Sequence, residues 1–217
     1  MQDPTLEANV KDELFWDPRV DTGEIAVSAS NDGTVTLRGT VGSLRQKVDA
    51  KRAAERVAGV TRVDNALNVR VLNEHRRDDA TLRAQVLQAL MLDSLVPSTV
   101  DAKVSDGWVT LTGFAEWQYQ RNEAEYVAGN ILGVVAVDDE IDLIYPTADA
   151  GDVRHSIKKA FERSAKLDAK DLSVETYNGT VTLSGAVSSW SEHDEAISAA
   201  WAAPGVTSVD DRILVKY

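Results

Sequence analysis

The chain has no cysteine among its 217 residues. That excludes disulfide staples, thiolate metal sites and a disulfide-linked partner, and it suits a reducing compartment. Aromatic residues are scarce at 6%, so any cluster of them stands out. Long apolar runs are missing too, and none approaches the ~18 residues that a membrane-spanning helix needs. The opening stretch, Met1 to Thr5, has neither the basic nor the apolar region of a secretory signal, so the expected location is cytoplasmic. Positive charge is also in short supply. Lys and Arg number 23 against 35 Asp and Glu, for a net charge of −12. Most of the excess falls in residues 73–147, which carry 5 basic and 13 acidic residues. Such a field repels phosphate backbones, which argues against nucleic-acid binding.

Catalytic patterns are absent in the same way. There is no Walker or dinucleotide glycine loop and no G-x-x-G clamp. The three histidines, His75, His155 and His193, fall at non-equivalent places and read as surface residues rather than as part of a nucleophile–base pair. No enzymatic activity, cofactor or metal is expected. The acidic run Asp138, Asp139, Glu140 and Asp142 lacks the alternating ligands of a calcium loop.

What the chain does contain is one pattern in triplicate. Residues 33–39 read GTVTLRG, 107–113 GWVTLTG and 179–185 GTVTLSG. Beyond the second glycine of each copy, at constant spacing, come Gly59-Val60, Gly133-Val134 and Gly205-Val206, then Val63-Asp64-Asn65, Val137-Asp138-Asp139 and Val209-Asp210-Asp211. A period held this strictly means three units on one plan. Each opens on an apolar stripe at helical spacing: Leu6, Val10, Leu14; Leu82, Val86, Leu90; Val153, Ile157, Phe161. Asp3-Pro4 starts the first of these helices and Asp17-Pro18 stops it.

A hairpin follows in each copy, turning at Asp106-Gly107 and Asn178-Gly179, with a loop one residue longer at Asn31-Asp32-Gly33. The glycines at the third inward strand position, Gly39, Gly113 and Gly185, are expected to let a helix backbone approach the sheet. Ser43 with Gln46 and Ser189 with Glu192 read as capping boxes of a second helix, whose inner face is mostly alanine. Gly59, Gly133 and Gly205 end that helix as left-handed caps, and a third strand closes the unit. The reading is an α+β fold, an α/β sandwich of three tandem α-β-β-α-β units over 1–72, 78–146 and 150–217. Each has a three-stranded mixed sheet with both helices on one face. The connectors Asn73–Asp79 and Pro146–Gly151 are short and polar.

These features together resemble the BON domain, named for bacterial osmotically inducible and nodulation proteins. The likeness covers essentially the whole chain as three tandem copies, of the type without a leader. It implies a non-enzymatic bacterial module connected with osmotic or envelope stress, acting through protein or phospholipid contacts. Two surfaces stand out from the residues themselves. Trp108 and Phe114 alternate against the inward Val109 and Leu111, with Trp117 and Tyr119 just beyond, where the sister repeats carry Thr34, Thr40, Thr180 and Ala186. They read as an interaction face, for a protein partner or self-association, or as a face covered by a sister repeat. Arg45, Lys47, Lys51, Arg52 and Arg56 ride one helix as a candidate patch for weak contact with anionic phospholipid, or as a solvated face. The remaining alternatives are a self-assembling scaffold and a sensor of a small ligand or of a monovalent cation such as potassium, held in clefts between units.

Overall fold

A computed structural model describes residues 2–71, 77–144, 150–165, 167 and 171–216. His75 and most of the two connectors lie outside the described residues. The chain divides into two compact units, Met1–Ala115 with Gln120–Asp142, and Glu116–Tyr119 with Leu143–Tyr217.

In the first repeat, helix α1 (Pro4–Trp16) is followed by strands β1 (Ile25–Ala29) and β2 (Thr34–Val41), helix α2 (Leu44–Glu55) and strand β3 (Arg62–Val69). The second repeat runs α3 (Asp79–Leu92), β4 (Asp101–Ser105), β5 (Trp108–Ala115), α4 (Gln118–Gly129) and β6 (Ala136–Leu143). The third, in the second unit, runs α5 (Ala150–Arg163), β7 (Leu172–Tyr177), β8 (Thr180–Val187), α6 (Trp190–Trp201) and β9 (Ser208–Val215). Each sheet takes its strands in sequence order with the second strand central. In the first and third repeats the hairpin is antiparallel and the strand after the crossover helix is parallel to the central one. The architecture is the α+β sandwich expected from the sequence.

The helix stripes fall where their spacing put them. Leu6, Val10 and Leu14 are buried with the α2 alanines Ala50, Ala53 and Ala54 against Val27, Val35, Leu37 and Leu67, so both helices share one side of the sheet. The small alanine face lets α2 sit close, and dispersion contacts accumulate over that approach. Asp3 caps α1 by accepting hydrogen bonds from the Thr5 and Leu6 amides, with Pro4 at the first helical position.

The repeated glycines have a shared physical cause. Gly59, Gly133 and Gly205 have φ of 93°, 108° and 83°, but they do not cap the crossover helix as expected: α2 ends at Glu55 with Arg56 as its C-cap and α6 at Trp201 with Ala202, and each glycine lies beyond, in a turn closed by a bond from the Val60, Val134 or Val206 amide to the carbonyl of Val57, Ile131 or Ala203. Each hairpin glycine sits against the carbonyl of the matching turn glycine, Gly33 on Gly59, Gly107 on Gly133 and Gly179 on Gly205, so the two halves of the motif meet in space. Bonds from the Thr61, Val135 and Thr207 amides to the carbonyls of Gly33, Gly107 and Gly179 fasten the junction.

Two further expectations are corrected. Gly39, Gly113 and Gly185 do not make room for a helix. Their φ values are 121°, 124° and 128°, and a Cβ there would run into the carbonyls of Glu24, Thr99 and Asp171, just ahead of the first strand. The glycine serves the open end of the hairpin, where the backbone leading into the first strand crowds the central strand. The capping boxes are also only half formed as expected. Ser43 and Ser189 accept from the Gln46 and Glu192 amides, each at 3.2 Å. The return arm of Glu192 reaches Ser188 rather than Ser189, and the Gln46 side-chain oxygen is buried without a hydrogen-bond partner.

Candidate interaction surfaces

The residue two before the apolar anchor of the third strand does one job three times. The side chains of Asn65, Asp139 and Asp211 accept from the backbone amides of Leu67, Ile141 and Ile213. Their second polar atoms reach the crossover helix at equivalent places: Asn65 donates to the Lys47 carbonyl at 2.7 Å, Asp139 accepts from Arg121 at 2.8 Å, and Asp211 meets His193 at 2.8 Å. This side chain braces helix to strand, which accounts for the recurring Asp/Asn as a structural feature. Among the described residues no group of three His, Asp or Glu side chains could hold a metal.

His193 departs from its expected place on the surface. It is only 9% exposed, and its ring nitrogens meet Asp194 and Asp211, at 3.2 and 2.8 Å. Trp190 packs on its edge. Burial alone would lower its pKa, but the hydrogen bonds and charges of Asp194 and Asp211 outweigh burial and raise it above the ordinary histidine value. His155 is exposed.

The basic helix is less available than its sequence suggests. Arg45 binds the buried Asp49 at 2.9 Å, Lys51 lies 3.4 Å from Glu55, and Arg56 contacts both Glu13 and Asp17. Asp17, which reads in the sequence only as a helix stop, is a buried node held by Arg19 and Arg56. Hydrogen bonds from Arg19, joined by Arg56, overcome burial and hold its carboxyl well below the usual carboxylate range. Lys47 and Arg52 make no ion pair among the described residues.

The aromatic face has the opposite character. Trp108 and Phe114 are 59% and 49% exposed on the helix-free side of the second sheet, while Val109 and Leu111 are buried on the other. A sister repeat was one expected cover for this pair, and the first repeat, in the same compact unit, does not cover it. They stand six residues apart on one strand, hence about 20 Å, with Thr110 and Thr112 between them. Asp139 and Ile141 point to the helix side, so the alternating and exposed Asp138, Glu140 and Asp142 share the face of Trp108 and Phe114. Trp117 is half-buried and Tyr119 exposed, and both belong to the second compact unit. Three of the four acids in the run that has no calcium pattern, all but Asp139, thus form the charged half of an aromatic surface.

One apolar feature escapes the sequence reading. Phe15 and Trp16 at the end of α1, and Met91 and Leu92 at the end of α3, are all exposed. They directly follow Leu14 and Leu90, the last buried residues of their stripes, where the third repeat carries Glu162 and Arg163 after Phe161. Comparing the repeats just past the stripe would have exposed the difference.

The BON domain family model matches residues 2–71, 78–145 and 149–217. The chain belongs to the BON domain family. Over 149 residues it is 36% identical to osmotically-inducible protein Y of Escherichia coli (strain K12), a stretch covering 64% of this chain and 73% of that one. Two solved structures of CdsD, a structural protein of the Chlamydia trachomatis type III secretion system, align over 98% of this BON protein and 92% of that chain, and over 100% of both. Identity is 15% and 12%, with a TM-score of 0.28 in each case, too remote to carry any inference. Among the described residues no helix is long and apolar enough to cross a membrane.

Proposed function

We propose that this BON protein is a non-enzymatic, stress-related binding module that docks a protein partner on the helix-free sheet face of its second repeat. The observation that carries the reading is the open pair Trp108 and Phe114 flanked by Asp138, Glu140 and Asp142. Apolar area with an acidic border suits a protein surface that is itself apolar and basic. It opposes an anionic membrane, whose charge has the same sign as the border. The first repeat carries Thr34 and Thr40 in place of the two aromatics, and the third Thr180 and Ala186, so the surface is particular to one copy. The stress connection rests on the family and on the name of the Escherichia coli relative. The non-enzymatic reading is supported by His193, both of whose ring nitrogens are committed to carboxylates.

A photo-crosslinking residue at Phe114, in cells under osmotic challenge, tests the reading against the same residue at Thr40. A discrete protein adduct at position 114 and none at position 40 is the expected result. Equal labelling at both positions, or adducts to lipid alone, would overturn it.

A further inference from the structure

Between α2 and the end of the second repeat formed by α4 and β6, within the first compact unit, lies a half-open cavity of about 450 Å³. That volume falls in the range of sites for small organic molecules. Val48 on α2 and Val135, just before β6, give it an apolar wall. The Tyr126 ring is part of the lining and is fixed by the Arg45 guanidinium, 5.0 Å from its centroid.

The charge of this cavity runs against that of the chain. The net charge is −12, yet Arg45, Lys47 and Arg52 line the cavity and Glu125 is its one acid. Arg45 is occupied by Asp49 at 2.9 Å and by Tyr126. Lys47 and Arg52 make no ion pair among the described residues. Unpaired cations beside apolar walls concentrate a positive field where a small anion would lose little hydration on entering.

We propose that this cavity binds a small organic anion. Its phosphate or carboxylate group pairs with Lys47 and Arg52, and its flat apolar body packs on Val48 and Val135 beside Tyr126. Glu125 opposes that anion, and replacing its carboxylate strengthens binding. The site shares no residue with the sheet face of Trp108 and Phe114, so it stands or falls separately from the docking reading. A soluble phosphoester and a phospholipid head group offer the same chemistry, and the test separates them.

The full chain is titrated by calorimetry with phenyl phosphate, with inorganic phosphate, and with vesicles of phosphatidylglycerol. Expected are saturable binding of phenyl phosphate at one site, tighter than inorganic phosphate, and a Kd raised at least about tenfold in the Lys47→Gln/Arg52→Gln variant. Glu125→Gln tightens binding and Trp108→Thr leaves it unchanged. Should the double variant fail to fold, the tightening in Glu125→Gln carries the test alone. Affinity for phenyl phosphate untouched by either set of changes, or binding seen only with vesicles, would overturn the proposal.

Discussion

The sheet faces of the first and second repeats share a backbone plan and almost nothing else. Toward the helices, Val35 and Leu37 in one correspond to Val109 and Leu111 in the other, all buried. Away from them, Thr34, Thr36, Arg38 and Thr40 in one correspond to Trp108, Thr110, Thr112 and Phe114 in the other. A strand alternates its side chains between two environments, so one side can be held constant by packing while the other varies. Positions that all three repeats share are accounted for by the fold: the central-strand glycine, the glycine of the turn after the crossover helix and the Asp/Asn brace. Positions they do not share are where binding is to be sought.

Substitutions at the shared glycines should separate the two classes most sharply. Gly113→Val places a β-branched residue at φ 124° and drives its Cβ into the Thr99 carbonyl. A loss on the order of 3 kcal/mol or more is expected in denaturant unfolding. Gly133→Val puts a β-branched residue at φ 108° and should cost more than the ~1 kcal/mol of helix propensity. Equal stabilities for these variants and the parent would break the distinction between shared and unshared positions.

Much of this was legible beforehand. The period of the glycines, the helix stripes and the Asn-Gly and Asp-Gly turns each report a local rule, and Asp106 and Asn178 indeed have φ of 52° and 46°. The role of Gly39 was not legible, because a glycine on an inward strand position looks the same whether it admits a helix or a hairpin edge. Asp17 and His193 were hidden for another reason. Their partners Arg56 and Asp211 lie far along the chain, and only the fold brings those charges together. The acidic border of the aromatic face likewise depends on which side of β6 each carboxylate takes.

A subtler comparison is between the braces of the second and third repeats. The second repeat is braced by an arginine, Arg121 on Asp139, and the third by a histidine, His193 on Asp211. The folded state raises the His193 pKa above its ordinary 6.5, so the folded chain binds that proton more tightly than the unfolded one. Its stabilisation is fully present below about the unfolded value and fades as pH rises through the folded value. The melting temperature of the parent, relative to His193→Gln, should therefore fall between acid and alkaline buffers. Arg121→Gln should show no such trend. A constant difference between parent and His193→Gln would remove the titrating brace.

The smallest effect is expected at the membrane. With Arg45, Lys51 and Arg56 already paired, two unpaired cations at ~1 kcal/mol each allow only marginal association with anionic vesicles at low salt. Lys51→Glu/Arg52→Glu should abolish even that in a sedimentation assay. Strong binding to neutral vesicles would instead turn attention to Phe15, Trp16, Met91 and Leu92.

Exposed as it is, the aromatic face of the second repeat is free of structural duty. Thermal unfolding of Trp108→Thr/Phe114→Thr, which copies the first repeat onto the second, tests this most directly. A melting temperature equal to the parent's, beside a large drop for Gly113→Val, is the predicted result. A drop in the double variant as large as that of the glycine variant would contradict it, because those aromatics would then be part of what holds the fold.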